Sequence, residues 1–210
     1  MDLSIAGGVS TVDYTNSYQG DNGHGTHVAG IIGAKRDGIG LAGVAPGVSL
    51  YGVKAMDSQG DGTLQDITEA IDWAIANHMD IINMSLGTNV DSRLLHDMVD
   101  RAYDRGIIVV AASGNSGHAD GLGNTVEYPA KYEKVIAVFA LLKQANQGKS
   151  SSELREEMRK YAEDLGEKGR DALYGYGFAN YAQLSVPESV PAPAAPFLFR
   201  MSPFQYRRMQ

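Results

Sequence analysis

The run Ile107-Ile108-Val109-Val110-Ala111-Ala112, six apolar residues with no polar interruption, constrains the fold of this chain more than any other feature. A strand with one face in water alternates apolar and polar residues; an unbroken run suits a strand covered on both faces. Ile81-Ile82-Asn83-Met84-Ser85-Leu86 and Val135-Ile136-Ala137-Val138-Phe139 read the same way, and Val48 to Ala55 reads as a further strand. Amphipathic helices lie between them. Leu64, Ile67, Ile71, Ala74 and Ile75 follow helical spacing behind Thr63, a candidate N-cap. Leu94, Leu95, Met98, Val99 and Ala102 form the apolar face of a second helix, which Asp91 can cap and Gly106 stops. This strand–helix rhythm predicts a three-layer α/β domain with a central, mainly parallel sheet and right-handed crossovers. Sites in such sheets gather at the carboxyl ends of strands, where Ser85-Leu86-Gly87 and Ser113-Gly114-Asn115 fall.

At 210 residues the chain can bury one sizeable core. A net charge of −7 argues against nucleic acid or an anionic membrane as partner, and no apolar run is long enough to span a bilayer. The absence of cysteine excludes disulfides, thiolate metal sites and a cysteine nucleophile. Met1-Asp2-Leu3-Ser4 shows no basic region followed by an apolar stretch, so a cytoplasmic location is expected. Ser150 with Glu153 is a capping-box pattern, and Leu154, Met158, Tyr161 and Leu165 continue it as a charged amphipathic helix. Residues 1–184 are expected to form the domain, 185–196 a Pro/Ala-rich extended linker, and 197–210 a tail. That tail carries Phe197, Phe199, Phe204 and Tyr206 with Arg200, Arg207 and Arg208, and reads either as a loose end or as a docking segment.

Two segments carry chemistry. Gly23-His24-Gly25-Thr26-His27-Val28-Ala29-Gly30 opens a helix with small residues and sets His24 in its first turn, where an imidazole can act as general base. Ala111-Ala112-Ser113-Gly114-Asn115-Ser116-Gly117 leaves a buried strand through turn-forming residues, and Asn115 there offers an amide donor to a developing oxyanion. His78, His96 and His118 read as surface residues.

Together the two segments resemble those of the subtilisin-like serine proteases, the subtilases. The resemblance runs from about Asp2 to Val138 and resumes over Phe139 to Leu184, taking in Gly43-Val44-Ala45-Pro46 and Ile81 to Gly87. It implies that His24 is the catalytic histidine, His27 a supporting one and Asn115 the oxyanion-hole residue. It also implies that Ser85, Leu86, Gly87, Ser113 and Gly114 bind an extended substrate peptide in the manner of an added strand. A calcium site is implied in the loop Lys35 to Leu41, where Asp37 and Asp2 would supply hard oxygen ligands and Lys35 and Arg36 would oppose the cation; the chemistry requires no cofactor.

The resemblance further implies an Asp-Ser/Thr-Gly segment with the catalytic aspartate and a Gly-Thr-Ser-Met-Ala segment with the nucleophile. Neither occurs in the 210 residues. Asp2-Leu3 resembles the residues just beyond that aspartate. At Val138-Phe139-Ala140 the sequence passes directly into what resembles the tail of the helix after the nucleophile. The domain is therefore expected to be shortened at its start and after about residue 138. Ser85, Ser113 and Ser116 lie near the site, but none sits on a strand-to-helix elbow. The expectation is a serine endopeptidase homologue, inactive alone, that serves as a binding or structural module for a peptide or protein. The alternative is an active endopeptidase completed by segments from another chain or from beyond this sequence. A sheet short of strands exposes backbone edges, so an oligomeric or partner-bound state is expected.

Overall fold

The computed structural model describes residues 3–114, 126–136, 153, 162–163 and 178–179. In chain order its elements are β1 Ile5–Ser10, α1 His24–Gly33, β2 Leu50–Lys54, α2 Leu64–Ala76, β3 Ile81–Met84, α3 Arg93–Asp104, β4 Ile108–Ala111, β5 Val135–Ile136, β6 Ala162–Glu163 and β7 Phe178–Ala179. β1 pairs with β2 in parallel, and β3, β4 and β5 form a second parallel sheet in that order. This is an α/β fold. The single sheet expected from the sequence is present, among the described residues, as two parallel pieces that share one core.

α2 joins those pieces. Its buried stripe, Ile67, Ile71, Ala74 and Ile75, belongs to the same hydrophobic cluster as Val53 of β2, Ile82 and Met84 of β3 and Val109 of β4. Leu95, Val99 and Ala102 of α3, all fully buried, extend it. Each fully buried aliphatic side chain contributes about 1.5–3 kcal/mol relative to exposure, so the stripe spacing read from sequence is what holds the two sheets together.

The helix ends follow local chemistry. Thr63 caps α2 with a reciprocal pair: its Oγ1 accepts from the Asp66 N–H at 3.1 Å, and Asp66 Oδ2 accepts from the Thr63 N–H at 3.2 Å. At α3 the cap is Ser92, whose Oγ accepts from the Leu95 N–H, rather than Asp91. Asp91 is otherwise engaged, accepting from the Tyr132 hydroxyl at 3.2 Å. Gly106 ends the helix with φ +83°, a conformation open to glycine at little cost.

β1 was not legible in the sequence. Its Gly7-Gly8 pair breaks the apolar pattern, yet Gly8 is needed because a Cβ there would meet the Gly52 carbonyl oxygen of β2. The helix expected over Leu154 to Leu165 does not reach its end: Ala162–Glu163 is strand, paired antiparallel with Phe178–Ala179. Pairing with a distant segment overrides the local 3.6-residue periodicity there. Residues 137–139 of the expected last strand, the linker 185–196 and the tail 197–210 lie outside the described residues. No helix among the described residues is long and apolar enough to cross a membrane.

Candidate active site

His24 is the first residue of α1, entered through Gly23 at φ +90°, ψ −24°. The first turn holds no acidic residue. The helix sits close to β2 because Gly33 has no side chain: a Cβ there would meet Leu50 Cδ1 at 2.9 Å. Its last carbonyls are satisfied by the following loop, with the N–H groups of Gly43, Val44 and Ala45 donating to Ala34, Ile31 and Ile32 at 2.7–2.9 Å. That is the structural work of the Gly43-Val44-Ala45-Pro46 segment. His24 is half-buried, and its pKa is lowered, first by burial and then by the neighbouring His27. A lowered value keeps the imidazole neutral at neutral pH, the form a general base must have.

The segments expected to bind substrate lie at the ends of β3 and β4. Met84 pairs with Ala111, and the Ala112 N–H donates to the Met84 carbonyl at 3.1 Å, so Ser85-Leu86-Gly87 and Ser113-Gly114 leave the sheet side by side. A third segment crosses them: Thr88 and Tyr128 exchange backbone bonds at 2.9 and 2.8 Å, and the Glu127 N–H donates to the Ser113 carbonyl at 2.9 Å. Glu127 is fully buried and Tyr128 half-buried. Ser85 Oγ accepts from the Asn83 side-chain amide at 3.0 Å, while Ser113 is exposed. Gly114 has φ +104°, so the chain turns here through a conformation that L side chains avoid. Asn115, Ser116 and Asp2 lie outside the described residues. The geometry thus brings together five of the expected site residues, Ser85, Leu86, Gly87, Ser113 and Gly114, on one rim, and places His24 at a helix N-terminus on the other parallel piece.

Asp37 sits in an exposed loop between α1 and β2, where its Oδ1 accepts from the Ile39 N–H at 3.1 Å. Lys35 and Arg36 beside it are exposed, and no group of three His, Cys, Asp or Glu suited to a metal occurs among the described residues. One carboxylate flanked by two cations does not by itself fit a calcium site.

Sequence reasoning missed the charged cluster around Asp21, three residues before His24 in the chain. Lys54, its side chain only 5% exposed at the end of β2, bonds Asp21 Oδ1 at 2.6 Å, and the Tyr14 hydroxyl donates to Asp21 Oδ2 at 2.7 Å. Lys54 Nζ also lies 5.4 Å from the Tyr14 ring centre. The Lys54 bond foremost holds the Asp21 pKa down. Burial alone would lower that of Lys54, but Asp21 and Tyr14 outweigh it and raise it. The cluster ties the turn before α1 to β2. A lysine following Leu50-Tyr51-Gly52-Val53 was the available signal. The crossing segment Val126–Tyr128 carried none.

A profile described as the Subtilase family matches residues 2–141. This chain belongs to the subtilase family. It is similar to the minor extracellular protease Epr of Bacillus subtilis (strain 168), with 46% identity over 233 residues, covering 86% of this chain and 36% of that protein. Subtilisin DY of Bacillus licheniformis is 49% identical over 151 residues, 72% of this chain and 55% of its own. Subtilisin E of Bacillus subtilis (strain 168) is 44% identical over 194 residues, 92% of this chain and 50% of its own. The chain therefore spans between about a third and a little over half of these relatives. The 233 aligned positions outnumber the 210 residues of the chain, so the Epr protease carries residues within the matched span that have no counterpart here.

Proposed function

We propose that this 210-residue subtilase chain binds an extended peptide along Ser85-Leu86-Gly87 and Ser113-Gly114 and does not cleave it unaided. One observation carries the reading: β3, β4 and the Val126–Tyr128 segment are stitched together by backbone bonds into one rim, while no nucleophile segment of the family's type occurs in the sequence. Ser85 leaves β3 into a loop rather than onto a strand-to-helix elbow, which supports the reading that it does not stand in. The rim offers backbone groups at the ends of adjacent parallel strands, which supports a peptide lying alongside as an added strand.

The second reading is a serine endopeptidase whose nucleophile and aspartate come from another polypeptide. The lowered pKa of His24 favours it, because a neutral imidazole is ready to accept a proton. Labelling with a fluorophosphonate probe, read by intact mass and peptide mapping, tests both. Both readings expect no adduct on this chain, so a stoichiometric adduct on any of its serines overturns them; an adduct on a co-purifying second polypeptide that is lost in His24→Ala favours the second reading, and its absence the first.

Self-association or a protein partner is part of the proposal. Ile31 in the last turns of α1 is 53% exposed, and Ile39, Leu41 and Val44 in the following loop are 66%, 86% and 57% exposed. The Val44 N–H donates to the Ile31 carbonyl, so helix and loop present these residues from one neighbourhood. An apolar surface of this kind marks a contact site.

A further inference from the structure

The dipeptide immediately before His24 is the single Asn-Gly in the sequence. We infer that Asn22-Gly23 is a site of spontaneous deamidation, and that its conversion alters the helix start carrying His24. In this reaction the backbone nitrogen of the following residue attacks the asparagine side-chain carbonyl carbon. A C–N bond forms, the amide C–N bond breaks and ammonia leaves, giving a five-membered succinimide. Water then opens the ring at either carbonyl, yielding aspartate or isoaspartate. The step needs a follower without a Cβ to block the approach, a backbone free to rotate, and access for water.

Gly23 supplies the first and eases the second, although its carbonyl accepts from the His27 N–H at 3.1 Å. It has no side chain, a Cβ built there would meet nothing within 4 Å, and its φ of +90° lies in the region glycine visits freely. Both residues are exposed. Among the described residues the Gly23 N–H makes no hydrogen bond, which leaves the attacking nitrogen uncommitted. One contact restrains the asparagine: its Nδ2 donates to the Ser58 carbonyl at 2.7 Å, joining this turn to the loop before α2.

The product changes three things. The Nδ2 donor is lost, and a carboxylate then faces the Ser58 carbonyl. Isoaspartate adds a backbone methylene directly before the cap of α1. A new negative charge lies two residues from His24, in a helix start that has no acidic residue of its own, and it favours the imidazolium. That opposes the burial which lowers the His24 pKa. Asp21 and Lys54 already neutralise each other nearby, so the added charge is not offset.

The test is ageing of the purified 210-residue chain in mildly alkaline buffer, followed by peptide mapping with isoaspartate detection. Position 22 should convert first, ahead of the exposed Asn16, Asn77 and Asn89, and the Asn22→Gln chain should lack the product. Conversion of those others while Asn22 stays intact overturns the inference. The Asn22→Asp chain, its fold checked by circular dichroism, gives the second measurement: its His24 imidazole should titrate at higher pH by NMR, and no upward shift overturns the link to His24. Both readouts are independent of peptide binding and hydrolysis, so their failure is distinct from failure of the proposed function.

Discussion

Removing Asp21 should destabilise the chain far more than removing Lys54, although both changes break the same bond. The reason is unequal burial: the Lys54 side chain is 5% exposed and that of Asp21 37%. Asp21→Asn leaves a buried ammonium without a counterion. Losing one partner of a fully buried pair costs about 3–5 kcal/mol; because water reaches the Asp21 end, the expectation here is about 2–3 kcal/mol. Lys54→Met leaves a carboxylate that keeps the Tyr14 hydroxyl and meets solvent, at a cost of about 1 kcal/mol or less. The double variant, with no charge to bury, should recover most of the loss. Urea unfolding at neutral pH measures this: with a slope of about 2 kcal/mol/M, Asp21→Asn lowers the midpoint by roughly 1 M. The pH dependence gives a second check. The lowered Asp21 pKa gives stability that is present above its unfolded value and is lost as pH falls through the folded one. The raised Lys54 pKa gives stability that is complete below its unfolded value and is lost as pH rises through the folded one. The gap between wild type and Asp21→Asn should therefore stay flat from about pH 5 to about pH 9 and shrink on either side. Equal losses in the two single variants, or a double variant as weak as the sum of both, would refute the reasoning.

Other changes test other links. Leu95→Ala removes a fully buried side chain of α3 and should cost about 2–5 kcal/mol in the same unfolding assay. Replacing Leu41 and Ile39 with lysine should leave the melting temperature within a few degrees and reduce self-association by sedimentation; unchanged sedimentation would mean that this loop is not the contact. Thr63→Ala should lower stability by about 0.5–2 kcal/mol through loss of the α2 cap, read by thermal melting. Calcium should produce no melting shift that depends on Asp37, since Lys35 and Arg36 flank it; a shift abolished in Asp37→Ala would reverse that conclusion.

What could be read from the sequence was whatever local pattern decides. The buried stripes of α2 and α3, the Thr63 cap, the Gly106 stop and the start of α1 at His24 all follow from spacing and end chemistry, and the structure has them where the residues put them. What escaped depends on distant partners. β1 is a strand because Gly8 lets it approach Gly52, contacts separated by more than forty residues. Ala162–Glu163 is a strand because Ala179 pairs with it. Ser92, not Asp91, caps α3 because Tyr132 claims Asp91. The placement of Ser85-Leu86-Gly87 and Ser113-Gly114 at strand ends was legible from the apolar runs before them, whereas Lys54–Asp21–Tyr14 and the Glu127–Tyr128 crossing exist only once loops are brought together in space.

Family membership and activity rest on different residues in this chain. The lowering of the His24 pKa arises from its burial and from His27, and neither depends on a nucleophile or an aspartate. The approach of α1 to β2 at Gly33 and the loop bonds from Gly43 to Ala45 hold the helix that carries it. A histidine kept neutral by packing persists for as long as the packing does. Its presence is evidence that the fold is intact and that a general base is available, and it does not by itself mean that a peptide bond is cut. Turnover requires a nucleophile within hydrogen-bond reach of that imidazole, and this is why a His24-dependent adduct on a second polypeptide is the result that separates an enzyme completed by a second chain from a binding module.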